Sequence, residues 1–279
     1  MEKKISFEEV FKTRNPQFAF LISRMQCAMG VQEVTFDDIN TVNLRKFKDY
    51  MEGEVSANSM STYFAVLKAT LNELSNDGLV ANPHCIDVLK VKKTPSQHCC
   101  LTEDELIKFD EYKPRTKTES DVKILFMRGA LSGARSCDCA VMSMDNVCDG
   151  TLTYVSKKTK VGVMQPIHHR LQKYLTMQPR KEHARKVVNE VIQTICKRLG
   201  FTEPVTLSRN GKMVTKPKYQ WITMHASRRS FATSLAVRGV PVETIAKLCG
   251  HENSATTSKH YICVDMKNIG SAALSFFNA

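Results

Sequence analysis

Residues 247–261 read Lys247-Leu248-Cys249-Gly250-His251-Glu252-Asn253-Ser254-Ala255-Thr256-Thr257-Ser258-Lys259-His260-Tyr261. Ile245, Leu248 and Cys249 form an apolar stripe at helical spacing, and Gly250 breaks it. His251 follows the break directly. The run Ser254–Ser258 is polar and turn-like, and Tyr261 stands ten residues beyond His251. A lone His or Tyr in such a place is ordinarily a polar group satisfied on a packed surface. What precedes this stretch changes that reading.

Upstream, His225-Ala226-Ser227-Arg228-Arg229 opens a helical pattern that Ser230–Ala236 continues. At spacing i and i+3, His225 and Arg228 project from one face, and Arg229 is rotated away into a structural role. Further back lies Gly133-Ala134-Arg135-Ser136-Cys137-Asp138, an arginine after a glycine break with an acid three residues on. By itself this is a helix start with a charge pair on one face. Cys137 and Cys139 read as small buried side chains. Between these helical stretches the period changes. Gly150–Val155 alternates like a strand, Val161–Ile167 is a second strand, and Lys157-Lys158-Thr159-Lys160 makes the charged turn of a hairpin. Helical patterns return at Leu171 and over Lys186–Leu199.

The front of the chain is helical. Apolar positions recur at Phe7, Val10 and Phe11, then at Phe18, Phe20, Leu21 and Met25, then through Val42–Phe47 to Tyr50. Ser56-Ala57-Asn58-Ser59 can cap a long helix whose face carries Tyr63, Val66, Leu67, Leu71 and Leu74, ended by Asp77-Gly78, with Asn82-Pro83 as a turn. These residues form a bundle of about four helices. The basic, proline-interrupted stretch after Lys90 reads as an extended linker, and Thr102-x-x-Glu105 as a capping box that starts a second unit.

With 279 residues, 42% of them apolar, the chain can bury a core and is not disordered. The 40 basic against 28 acidic residues leave a net charge of +12 and point to a polyanionic partner. Residues 1–100 hold 12 of each sign, so the excess lies beyond residue 100. No run of about 18 apolar residues is present, which excludes a spanning helix, and no apolar signal stretch opens the chain. Ten cysteines then read as reduced thiols of a cytoplasmic protein, and their spacing matches no zinc motif, so no metal or other cofactor is expected.

The order Arg135, hairpin lysine, His225-x-x-Arg228, Gly250-His251, Tyr261 resembles the tyrosine recombinase (phage integrase) family, and residues 247–261 match its C-terminal signature closely. The front unit, with Asn58-Ser59-x-Ser61-Thr62-Tyr63 and Leu67-Lys68, resembles the family's core-binding domain. The resemblance implies a mainly α fold with a small β-sheet or hairpin (α+β). It implies a helical, SAM-like DNA-binding domain over 1–90, a linker over 91–100 and a catalytic domain over 101–279 with a C-terminal tail.

The activity implied is site-specific DNA recombination without ATP or metal, of the integrase or invertase type. Tyr261 would attack a phosphodiester and form a 3′-phosphotyrosyl link. Arg135 and Arg228 would grip the non-bridging oxygens, since guanidiniums stay charged and fork onto phosphate. His225 and His251 would bond the phosphate, and Lys158 would protonate the leaving 5′-oxygen, with Lys160 the runner-up. Asp138 matches the acidic position and would orient Arg135 or a histidine. Ala134, Ala226 and Ser227 depart from the family pattern in packing positions. A type IB topoisomerase-like strand transferase, or a weakened DNA-binding relic, are the rival readings.

Arg45, Lys46 and Lys68, with the linker lysines Lys90, Lys92 and Lys93, are expected to meet DNA phosphates, the two domains closing on the duplex as a clamp. Thr62 and Tyr63 either reach DNA or cap and pack their helix. The expected partner is double-stranded DNA with inverted-repeat core sites and no separate arm sites. The apolar tail through Phe276-Phe277 would dock on a neighbouring protomer to build a homotetramer.

Overall fold

The computed structural model describes residues 6–79, 83–94, 97–209, 212–251, 254, 255 and 257. The chain divides into two compact units at Gln97, the stretch 210–212 aside. The first holds α1 (Phe7–Arg14), a 3₁₀ turn Pro16–Phe18, α2 (Phe20–Met29), α3 (Thr41–Glu54), α4 (Ala57–Asn76) and a 3₁₀ stretch Pro83–Leu89. Local chemistry sets these ends. Ser6, Asn40 and Ser56 accept backbone N–H groups of Glu9, Asn43 and Ser59 at the starts of α1, α3 and α4. Gly30, at φ 73°, closes α2 in the left-handed conformation.

Their apolar faces meet in one core that includes Phe7, Phe11, Leu21, Leu44, Phe47, Phe64, Leu67 and Leu71. Each such side chain contributes roughly 1.5–3 kcal/mol on burial. Tyr63 packs edge-on to Phe18 and Phe20, at ring distances of 6.2 and 5.2 Å, and Thr62 bonds back to the Asn58 carbonyl. Where a turn is expected at Pro83, the chain forms the 3₁₀ stretch and buries Cys85 and Leu89. Residues 91–94 and 97–100 lack regular structure. Asn58 pins Thr94 by its backbone carbonyl (2.9 Å) and N–H (3.1 Å), which ties the front of this stretch to α4.

The second unit runs α5 (Glu103–Glu111), α6 (Lys117–Ser132), α7 (Ser136–Val141), β1 (Val147–Cys148), β2 (Thr151–Val155), β3 (Gly162–Pro166), α8 (His169–Thr176), α9 (Arg185–Arg198), β4 (Pro204–Arg209), β5 (Lys212–Pro217), α10 (Met224–Val237) and α11 (Val242–Leu248). Thr102 and Glu105 form the expected capping box on α5. Strands β1–β2–β3 make an antiparallel sheet with Leu152 opposite Gln165 and Tyr154 opposite Val163.

Helix α6 is buried along most of its length and packs chiefly on α10. The two approach closely because position 129 is glycine. A Cβ there would lie 2.3 Å from the Ser227 hydroxyl, so the small residue at 129 makes room for Ser227. The β4–β5 ribbon is absent from the sequence reading. Of its six-residue strands only Leu207 is buried, so no apolar alternation announces it. Cys139 is buried as expected, whereas Cys137 is exposed on the outer side of the short α7. Among the described residues, no helix is long and apolar enough to cross a membrane.

Candidate functional site

The site begins where α6 ends. Gly133 sits at φ 68°, and a Cβ there would meet Phe231 at 2.5 Å, so only glycine makes this turn. The turn delivers Arg135 to the N-cap of α7, half-buried. Its Nη1 donates to Ser156 Oγ at 2.8 Å and lies 3.4 Å from Thr159 Oγ1, and both Nη atoms lie 3.5 Å from the Gly250 carbonyl. Asp138, one turn along α7 and buried, donates its backbone N–H to the Arg135 carbonyl (2.9 Å), but its carboxylate does not bond the Arg135 guanidinium directly. Its Oδ2 accepts from Ser156 Oγ (3.2 Å) and its Oδ1 from the Lys157 N–H (2.9 Å). The path from Asp138 to Arg135 runs through Ser156.

Arg228, on α10, is 1% exposed. Its Nη1 donates to the Gly133 carbonyl (2.7 Å) and its Nη2 meets His251 Nε2 at 2.5 Å. Arginine can only donate, so Nε2 is the acceptor and the ring proton sits on Nδ1. That proton is donated to Thr257 Oγ1, 2.7 Å away and fully buried. His251 is therefore held neutral in one tautomer. Gly250 precedes it at φ 62°, where a Cβ would lie 2.7 Å from Val163 Cγ2 on β3. The described residues Ser254, Ala255 and Thr257 are helical, where the sequence reads as a turn.

His225 lies in the first turn of α10. Burial, then the Arg229 and Arg228 charges, push its pKa down to about 3, so it is neutral at pH 7. The hairpin turn presents Lys157, Lys158 and Lys160 to solvent, Lys160 at φ 57°. Thr159, between Lys158 and Lys160, donates to the Gly250 carbonyl at 3.3 Å and so docks the turn at the site.

Five elements thus bring Arg135, Asp138, Arg228, His251 and the lysine turn around the Gly250–His251 corner, and His225 shares α10 with Arg228. Tyr261 and the apolar tail lie outside the described residues. Arg45, Lys46, Lys90, Lys92 and Lys93 are exposed on the first unit, Lys68 is half-buried there, and Lys90 pairs with Asp87 at 2.9 Å. Sequence reasoning passed over Ser156, Thr159 and Thr257, because a small hydroxyl beside a turn carries no signal of its own. It also passed over Arg209 and Lys216, which lie over the Trp221 ring at 5.2 and 5.3 Å. Among the described residues, no group of three or more His, Cys, Asp or Glu side chains gathers to hold a metal.

The model of the phage integrase family matches residues 100–268, more than half of the chain, and that of the phage integrase SAM-like domain matches residues 11–88. The chain belongs to the phage integrase family. It is a tyrosine-type site-specific recombinase. Solved structures share the fold of this recombinase. A lambda integrase fragment, a dimer bound to a COC′ core site, superposes with a TM-score of 0.65 at 18% identity, covering 92% of this chain and 93% of that one. A lambda integrase tetramer bound to a Holliday junction gives 0.63 at 15%, covering 94% and 79%. The XerH recombinase bound to palindromic difH substrate gives 0.63 at 16%, covering 95% and 82%. No curated protein matches the chain.

Proposed function

We propose that the recombinase cuts and rejoins duplex DNA by two transesterifications. The phenolic oxygen of Tyr261 attacks a backbone phosphorus, a 3′-phosphotyrosyl bond forms, and the 5′-oxygen leaves as a hydroxyl. Attack by a 5′-hydroxyl then reverses the step on the new strand and frees the tyrosine. The phosphoester bond is exchanged, not hydrolysed, so no ATP is consumed. Arg135 and Arg228 hold the non-bridging oxygens and stabilise the charge that grows there. His225 bonds the phosphate, His251 does so once its Nδ1–H leaves Thr257, and Lys158, on the hairpin turn, protonates the departing oxygen.

One observation carries this reading. Two arginines 93 positions apart in the sequence meet a single corner, Arg135 at the Gly250 carbonyl and Arg228 at the His251 ring, ten residues before Tyr261. Burial does most to keep His225 neutral; a phosphate that settles there would offset the Arg229 and Arg228 charges that add to it and draw its pKa upward, so that both ring nitrogens could donate.

The partner is double-stranded DNA with inverted-repeat core sites, contacted also by Arg45, Lys46, Lys68, Lys90, Lys92 and Lys93, on which a homotetramer assembles through the C-terminal tail. The DNA-bound dimer and tetramer of lambda integrase, which share the fold, support this assembly. All nine described cysteines are free, which suits a reducing cytoplasm. A nicked suicide duplex carrying the core site tests the chemistry. The wild type becomes covalently joined to DNA and Tyr261→Phe does not. An adduct formed by Tyr261→Phe would move the nucleophile elsewhere, and salt-dependent binding with no adduct from the wild type would make the protein a relic.

A further inference from the structure

We propose that Ser156 is a positioning residue for strand cleavage, its hydroxyl joining the buried Asp138 carboxylate to the Arg135 guanidinium while its backbone closes the lysine turn. This rests on the reading of Arg135 as a phosphate-gripping group. Ser156 is 1% exposed. It accepts from Arg135 Nη1 at 2.8 Å and donates to Asp138 Oδ2 at 3.2 Å. Its N–H donates to the Val161 carbonyl, and its own carbonyl accepts from the Lys160 N–H, each at 2.9 Å. Asp138 Oδ1 holds the next N–H, that of Lys157, at 2.9 Å.

Arginine offers only donors and a carboxylate only acceptors; a hydroxyl is both, so it can stand between them. The interposition has a chemical consequence. A carboxylate in direct contact would fork onto the guanidinium and occupy donors that a phosphate needs. Through Ser156, Asp138 orients one Nη, and among the described residues no carboxylate contacts the guanidinium directly. Without the hydroxyl, the Arg135 guanidinium keeps, among the described residues, the 3.4–3.5 Å approaches to Thr159 and Gly250, which are at the limit of hydrogen bonding. Displacement of a phosphate ligand by about 1 Å costs on the order of 10²-fold in rate.

The test has two parts. On a nicked duplex at saturating protein, and well below the melting transition of both proteins, Ser156→Ala should form covalent adduct 10- to 100-fold more slowly than the wild type, with duplex affinity within twofold and a thermal midpoint lowered only by the few degrees that an unpaired Asp138 oxygen costs. In an Asp138→Asn background the same substitution should cost threefold or less, since the two residues act as one chain. Adduct formation by Ser156→Ala within twofold of the wild type overturns the proposal, and so does a full additional loss in the Asp138→Asn background. The second part needs no DNA and no cleavage. In selectively labelled protein, the Arg135 guanidinium signals, assigned with Arg135→Lys, should be resolved in the wild type and rotationally averaged in Ser156→Ala. Signals unchanged by Ser156→Ala overturn the positioning role. A wild type that makes no adduct, with these signals still averaged in Ser156→Ala, leaves the role standing and rejects the phosphotyrosyl reading instead.

Discussion

At the scale of single residues, proton placement dominates. His225 has a folded pKa of about 3 against an ordinary 6.5. Between those values the unfolded chain binds a proton that the folded one does not, so stability falls as pH drops from 6.5 toward 3 and is fully present above 6.5. Urea unfolding at pH 7 and pH 4.5 should show the wild type losing more stability than His225→Gln across that interval. His251 gives a second prediction. Thr257→Val removes the hydroxyl that accepts its Nδ1 proton in a buried site, a cost of about 1–3 kcal/mol. We expect a lower denaturation midpoint and slower adduct formation, both restored by Thr257→Ser.

At the scale of elements, the second unit depends on how helices end. Arg128, fully buried on α6, donates to the Tyr174 carbonyl (3.1 Å) and the Cys139 carbonyl (2.8 Å), and also bonds the Met177 carbonyl. One side chain thereby satisfies carbonyls in α7 and at the end of α8. Arg128→Met should lower stability by about 3–5 kcal/mol, because it leaves several buried acceptors without donors. Denaturant titration measures this directly. Gly133→Ala combines a left-handed backbone with a collision at Phe231. Its cost should exceed about 2 kcal/mol, seen as a lower thermal midpoint together with lost adduct formation. These elements were largely legible from local signals: the Thr102 capping box, the alternation of β2 and β3, the glycine after α6. The β4–β5 ribbon was not, because its strands bury almost nothing and are held by pairing with each other.

At the scale of the whole molecule, charge is the readable quantity. The net +12 resides beyond residue 100, while the first 100 residues are balanced. The exposed cations Lys92 and Lys93 on the front unit are proposed phosphate contacts. Replacing both with Gln should weaken binding about equally on all duplex sequences. It should also reduce the slope of log affinity against log salt by roughly 2, since each phosphate contact contributes about 0.9. Titrations at several salt concentrations decide this, and an unchanged slope would take these lysines off the DNA.

Residue identity and local spacing were enough to indicate the family, the helical front unit and the lysine hairpin, and to nominate Arg135, His225, Arg228, His251 and Tyr261 as the candidate set. Caps and period act within a few residues of chain, and the family signal is the order of short motifs from Arg135 to Tyr261, which a linear reading also sees. Only the folded structure decided that the Asp138 carboxylate reaches the Arg135 guanidinium through Ser156, that His251 is neutral with its Nδ1 proton donated to Thr257, and that the Gly250 carbonyl is where Arg135 and the lysine turn meet. Those contacts join positions up to 115 residues apart. Their partners are small hydroxyls and backbone carbonyls, which most positions in a sequence can supply, so three-dimensional packing alone selects them.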